Sequence, residues 1–236
     1  MNRPQQFTAT VIKIDKLNTH ISEFNIELSG PTSITFLPGQ FVSVEVDTGV
    51  YRSYSINSSN KNDKFITLLV DTSLAGIGSK YFNRLKVGDK VSFVGPSGKF
   101  TLPAHITGEL IFVCTGTGLA PFESMLRKLT EQNYTDSISL YMGIRTKEDK
   151  FKIEFLDKLT QELTNFGYYM CLSKDKPTET YEKSGRVTEY IPYNRQATYM
   201  LCGNPNMIIE VEKLLVENGI NIDRILYEKF TTTGAS

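Results

Sequence analysis

The spacing of apolar residues changes character once along this chain, near residue 108, and that change constrains the fold more than any other feature. Upstream, residues 7–14, 21–28, 41–46, 51–56, 65–70 and 90–94 form short runs rich in Val, Ile, Phe and Thr. Pro38-Gly39, Val87-Gly88-Asp89 and Gly95-Pro96-Ser97-Gly98 supply turns between several of them. Six strands at this spacing predict an antiparallel barrel, because closure removes exposed edges. One short helix fits in this half, over residues 77–85, with Gly76 and Gly78 at its start.

Downstream the period lengthens. Residues 110–114 form an apolar run, then a glycine turn, then Leu119, Phe122, Met125, Leu126 and Leu129 at helical spacing. Strands are expected at 138–143, 168–172, 199–202 and 225–230. Helices are expected at 151–163 and 205–217, with a short turn at 187–191. Strands alternating with helices predict a parallel sheet covered on both faces. The expectation is a two-domain chain: an antiparallel β-barrel at 1–105, followed by an α/β parallel-sheet domain at 106–236.

Lysine and arginine number 26, as do aspartate and glutamate, so no net field draws the chain to nucleic acid. No apolar run approaches the roughly 20 residues of a membrane span. Residues 1–6 lack the apolar core of a signal peptide, so a cytoplasmic location is expected. The three cysteines, Cys114, Cys171 and Cys202, are too few for a four-cysteine cluster within this chain, and their wide spacing and odd number argue against a disulfide framework.

Two segments point to chemistry. Arg52-Ser53-Tyr54-Ser55 groups a cation, a ring and hydroxyls. Alternation sends Arg52 and Tyr54 to one face and Ser53 and Ser55 to the other, unless the strand ends or twists there. A guanidinium can grip a phosphate in two places, and a phenol can cover a flavin face. Alone, the tetrapeptide fits a core tyrosine beside a solvated arginine equally well. Gly76-Ile77-Gly78-Ser79 opens the short helix, where unpaired amides and absent side chains suit a pyrophosphate. Thr115-Gly116-Thr117-Gly118-Leu119-Ala120-Pro121 is a second glycine-rich strand-to-helix turn. It departs from Gly-x-Gly-x-x-Gly but serves the same physics. Cys202-Gly203-Asn204-Pro205 ends a further apolar strand and opens a helix.

In this order, Pro38-Gly39-Gln40-Phe41, Arg52-Ser53-Tyr54-Ser55, Gly76-x-x-Ser79, Thr115–Pro121 and Cys202–Pro205 resemble the ferredoxin–NADP reductase superfamily over nearly the whole chain. The resemblance implies a Greek-key flavin barrel and an NAD(P)-binding domain. It implies FAD phosphate ligands at Arg52 and Ser79, a flavin-covering ring at Tyr54, and a hydroxyl near the reactive flavin nitrogen at Ser55. Ser53, Leu69, Val70, Thr72 and Gly78 would line the same cofactor. Thr115, Gly116, Thr117, Gly118, Pro121, Cys202 and Gly203 would lie beside the nicotinamide and its phosphates. Ser173-Lys174 resembles the Ser-Arg pair that holds an adenosine 2′-phosphate, and Arg145 and Arg186 would add charge there. NADPH is therefore favoured over NADH, although Asp175 could serve the ribose of an NAD enzyme. Ser55, Cys202 and Glu228 are the catalytic candidates, and no metal is expected.

The resemblance implies electron exchange with a separate protein carrier: a ferredoxin, a flavodoxin or an oxygenase component. The alternatives are a free-flavin reductase, an NADH-dependent oxygenase reductase and a non-catalytic flavoprotein subunit. The phosphate-suited Gly76–Ser79 start argues against the first of these. Some family members end in an aromatic residue that stacks on the flavin; residues 231–236 contain none.

Overall fold

The computed structural model describes residues 4–73, 75–106 and 108–230; the tail Thr231–Ser236 lies outside them. The chain divides into two compact units, Met1–Leu102 with Ala120–Lys128, and Pro103–Leu119 with Leu129–Ser236.

The first unit contains β1 (Gln5–Lys16), β2 (Ile21–Gly30), β3 (Phe41–Asp47), β4 (Val50–Ser55), β5 (Phe65–Asp71), α1 (Ile77–Arg84) and β6 (Lys90–Ser97). The strands form one antiparallel sheet in the order β4-β3-β6-β1-β2-β5. Its two edges are bridged between Ile56 and Leu68, beside a hydrogen bond of 3.0 Å from Asn57 N to the Thr67 carbonyl. Inward residues alternate along the strands and bury Phe7, Phe24, Ile26, Val44, Ile66, Leu68 and Phe93. Phe7 and Phe93 stack at 5.1 Å between centroids, and Phe82 of α1 meets Phe24 edge-on at 4.8 Å.

Gly95-Pro96-Ser97 does not turn as the sequence suggests, because β6 continues through Ser97 with a bulge against β3 between Phe41 and Ser43. A Cβ on Gly95 would stand 2.8 Å from Val42 Cγ1, so the glycine serves close strand approach rather than a turn.

The second unit contains β7 (Leu110–Thr115), β8 (Ile138–Ile144), α3 (Ile153–Glu162), β9 (Phe166–Leu172), β10 (Glu182–Ser184), β11 (Thr198–Gly203), α4 (Pro205–Glu217) and β12 (Ile225–Lys229). Helix α2 (Leu119–Glu131) follows β7, and its Ala120–Lys128 stretch belongs to the first unit. All six strands are parallel, in the order β10-β9-β8-β7-β11-β12. Strand β10 is not anticipated by the sequence reading. It has three residues, two of them charged, and carries no period to recognise. Helix α3 starts two residues later than expected, because Lys152 takes a left-handed conformation at its N-cap.

The strand order reverses between β7 and β11. Chain progress runs outward from β7 through β8, β9 and β10, then returns to the other side of β7. Ligands of open parallel sheets bind beyond the strand C-termini at such a reversal. Both downstream glycine motifs follow the two strands that flank it.

Candidate functional site

In the first unit, β4 and the start of α1 converge. Along β4 the alternation holds: Arg52 and Tyr54 are half-buried, Tyr51 and Ser53 are exposed, and Ser55 is buried where the strand ends. The Tyr54 ring meets Phe82 of α1 edge-on at 4.8 Å. Gly78 is the contact point. A Cβ there would collide with the Tyr54 hydroxyl and lie 3.6 Å from Arg52 Cγ. The helix start can pass under the Tyr54 hydroxyl only because position 78 has no side chain.

Burial pushes the Tyr54 phenol up to about 12, against the opposing effect of the Arg52 charge, so it remains a neutral ring. The Arg52 guanidinium donates to the Tyr51 carbonyl at 2.8 Å and forms no ion pair among the described residues.

Helix α1 has no side-chain cap, and the N–H groups of Ile77, Gly78 and Ser79 find no acceptor among the described residues. A Cβ on Gly76 would meet open space. Unpaired first-turn amides, a free cation and an open glycine make a receptor for a pyrophosphate. The residues therefore fit FAD. The Ser79 hydroxyl is turned inward and donates to the Asp71 carbonyl at 2.7 Å. Thr72 likewise donates from both its N–H and its hydroxyl to the His20 carbonyl. Leu69 and Val70 are buried in β5.

A polar group that the sequence reading did not single out lies in the same unit. Asn57, fully buried two residues after Ser55, donates from Nδ2 to Glu23 Oε1 at 2.6 Å and to Glu123 Oε2 at 3.0 Å. Arg127 completes the network on Glu123 Oε1 at 2.7 Å. Ser124 Oγ donates to the Ser58 carbonyl at 2.8 Å. Its sequence signal was a carboxylate on an apolar helix face: Glu123 follows Leu119 by four residues and precedes Leu126 by three.

In the second unit, the two glycine motifs interlock. Gly203 has a φ of +122°, and a Cβ there would stand 2.6 Å from Thr115 Oγ1. A Cβ on Gly118 would collide with the Cys202 carbonyl. Thr115 Oγ1 accepts from the Asn204 N–H at 3.0 Å, and Asn204 caps α4 by accepting from the Asn206 N–H at 2.8 Å. Gly116, with a φ of +53°, has open space where a Cβ would stand. Pro121 lies in the first turn of α2, in the stretch that belongs to the first unit.

Cys202 pairs in register with Cys114 of β7 and Glu228 of β12. It is completely buried, and that burial holds its thiol well above the ordinary range, so it is no thiolate nucleophile. Burial also pushes Cys171 up to about 12. Glu228 is half-buried.

Arg145, Lys174 and Arg186 follow three successive strands, β8, β9 and β10. Arg145 and Lys174 are exposed on adjoining loops, joined by a hydrogen bond from Lys174 N to the Arg145 carbonyl of 2.9 Å. Ser173 N donates to the Ile144 carbonyl at 3.1 Å. Arg186 lies 3.6 Å from Glu210, a surface pair. Asp175 is engaged elsewhere: its Oδ2 accepts from the Lys147 N–H at 2.8 Å.

Comparison with known proteins identifies a domain in each half of the chain. Residues 8–102 match the oxidoreductase FAD-binding domain and residues 112–213 the oxidoreductase NAD-binding domain. The toluate 1,2-dioxygenase electron transfer component of Pseudomonas putida is 30% identical over 233 residues, which cover 96% of this chain and 68% of that protein. The anthranilate 1,2-dioxygenase electron transfer component of Acinetobacter baylyi is 34% identical over 208 residues, covering 84% of this chain and 59% of that protein. The chain thus spans about two thirds or less of the length of these relatives. Among solved structures, the Amycolatopsis cytochrome P450 reductase GcoB superposes with a TM-score of 0.91 at 26% identity, covering 99% of this chain and 72% of that one. No described helix is long and apolar enough to cross a membrane. The chain belongs to the ferredoxin–NADP reductase superfamily and is an NAD(P)H oxidoreductase with FAD-binding and NAD-binding domains.

Proposed function

We propose that this protein oxidises NADPH through bound FAD and exchanges single electrons with a separate carrier: a ferredoxin, a flavodoxin or an oxygenase component. Residues 1–105 form the FAD-binding domain and 106–236 the NADP-binding domain, working in the cytoplasm. When bound, FAD supplies the conversion between the two-electron chemistry of nicotinamide and the one-electron chemistry of protein carriers. The observation that carries the reading is the convergence of Arg52 and Tyr54 on the uncapped α1 start at Gly78.

Arg52 and the first-turn amides at Gly78 and Ser79 hold the pyrophosphate, while the Ser79 hydroxyl fixes the turn through Asp71. Tyr54 presents a neutral ring to the flavin. Ser53, Leu69, Val70 and Thr72 shape the rest of the cofactor's bed, and Ser55 offers a hydroxyl at its reactive edge. Thr115, Gly116, Thr117, Gly118, Pro121 and Gly203 admit the nicotinamide half of the nucleotide. Cys202 gives that ring a polarizable, uncharged floor. Glu228 exchanges the proton. Arg145, Ser173, Lys174 and Arg186 receive the 2′-phosphate.

NADH is the second reading, and the Arg186–Glu210 pair favours it by occupying one cation. The absorbance spectrum of purified protein, mass analysis of the flavin released by heat, and kcat/KM with each nucleotide test the proposal. About one FAD per chain and a higher value with NADPH are expected. Colourless protein that takes up no added FAD refutes the flavin assignment. Equal use of both nucleotides refutes the NADPH assignment alone.

A further inference from the structure

The loop between β9 and β10 carries Lys174, Asp175 and Lys176, and nothing in its sequence specifies its shape. Two carboxylates shape it. Glu182, at the far end, is almost wholly buried and accepts from Lys150 Nζ at 2.7 Å, from Thr178 N at 2.6 Å and from Glu179 N at 3.2 Å. The Thr178 hydroxyl adds a fourth bond at 3.3 Å. Asp175, at the near end, accepts from the Lys147 N–H. Lys147 and Lys150 both belong to the loop after β8, whose turn is itself closed by Thr146 and Asp149.

The two loops are therefore joined at three points: Lys174 N on the Arg145 carbonyl, Lys147 N on Asp175, and Lys150 Nζ on Glu182. Arg145 and Lys174 project from this braced pair, and neither has an ion-pair partner among the described residues. Two unpaired cations, on loops tied backbone to backbone, are a preorganised receptor for a dianion. Preorganisation removes the ordering cost that flexible loops pay on binding. An Asp engaged with a backbone amide is not thereby presented to a ribose.

Resting on the NADPH reading above, we propose that Asp175 and Glu182 are positioning residues: they pin the β9–β10 loop against the β8 loop and so hold Arg145 and Lys174 ready for the 2′-phosphate. Asp175 thus serves the phosphorylated nucleotide, opposite to the role an acidic residue plays in NAD enzymes.

Calorimetric titration of the FAD-loaded protein with adenosine 2′,5′-bisphosphate and with 5′-AMP tests this. The unmodified protein should bind the bisphosphate more tightly. Asp175→Ala should lose about fivefold to tenfold of that preference, since a charge-assisted hydrogen bond holding the loop is removed. Asp175→Asn keeps an acceptor oxygen for Lys147 N and should restore most of it. If the two variants lose the preference equally, the carboxylate charge matters and the strut assignment is wrong. If neither variant changes it, Asp175 does not shape the receptor. If 5′-AMP binding falls in both variants, Asp175 is a ribose ligand. Absence of any preference in the unmodified protein overturns the NADPH reading itself, an outcome distinct from the others. Glu182→Gln, provided its FAD content is unchanged, should weaken bisphosphate binding without altering 5′-AMP binding. Should it fail to fold, the Asp175 pair still decides.

Discussion

At the scale of single residues, the sites are built from positions where a side chain is absent as much as from side chains present. Gly78, Gly118 and Gly203 each admit a neighbour that a Cβ would displace: the Tyr54 hydroxyl, the Cys202 carbonyl and Thr115. Gly203→Ala also forces an L side chain into a φ of +122°, so it should lower Tm and slow NADPH oxidation together. A variant with full Tm and full rate would show that the Thr115–Gly203 contact is not required. Arg52→Ala should weaken FAD retention by about 1.5–3 kcal/mol, because the proposed charge-assisted phosphate contact is lost where no carboxylate among the described residues competes for the cation. Dialysis against FAD-free buffer followed by absorbance reads this; unchanged retention would place the pyrophosphate elsewhere. These residue types were legible in the sequence, since motif order alone singled out Arg52, Tyr54, Gly78 and Gly203. Their contacts were not, because each contact joins residues far apart in the chain.

At the scale of elements, two buried carboxylates set how strands and helices hold one another. Burial alone would raise the Glu182 carboxyl, but bonds from Lys150, Thr178 and Glu179 outweigh it and bring the value from 4.5 down to about 2. A carboxyl lowered in the folded state contributes stability above its ordinary value of 4.5, and that contribution is lost as pH falls toward 2. Melting curves between pH 6 and pH 2 should therefore show a steeper acid loss in the unmodified protein than in Glu182→Gln. Parallel curves would show that the carboxylate contributes nothing through its charge. Glu123→Ala should cost about 2–4 kcal/mol, since it leaves Asn57 with one acceptor and removes the buried carboxylate that Arg127 bonds. A fall in Tm of less than 1 °C on that change would refute the network's structural weight. Element types were readable from periodicity for every long strand and helix. Strand β10 and the run of β6 through Gly95 were not, because a three-residue strand has no period and a bulge depends on the neighbouring strand.

At the scale of the whole molecule, the two chemistries should be separable by mutation. Cys202→Ala removes bulk under the proposed nicotinamide position while leaving Arg52, Tyr54 and α1 untouched. Stopped-flow traces should show flavin reduction by NADPH slowed by up to about a hundredfold, with FAD content and the reactivity of dithionite-reduced protein unchanged. An empty flavin site with normal reduction per bound FAD would misplace Cys202. The order of motifs along the chain was enough to place the molecule in its superfamily, and the change of period near residue 108 was enough to separate a barrel from an α/β sheet. Both are local properties, written in neighbouring residues and their spacing. What only the tertiary structure decided is which distant groups meet. Asp175 stands in sequence where an NAD enzyme could place a ribose ligand, and in the structure it holds the Lys147 amide 28 residues away. Ser79 reads as a phosphate ligand, yet its hydroxyl is committed to the Asp71 carbonyl. Glu123 was not singled out in sequence, and its partner Asn57 lies 66 residues upstream. A hydrogen bond depends on the position of both partners to within a few tenths of an ångström, and for loops and buried polar groups that position follows from packing, which no local pattern encodes.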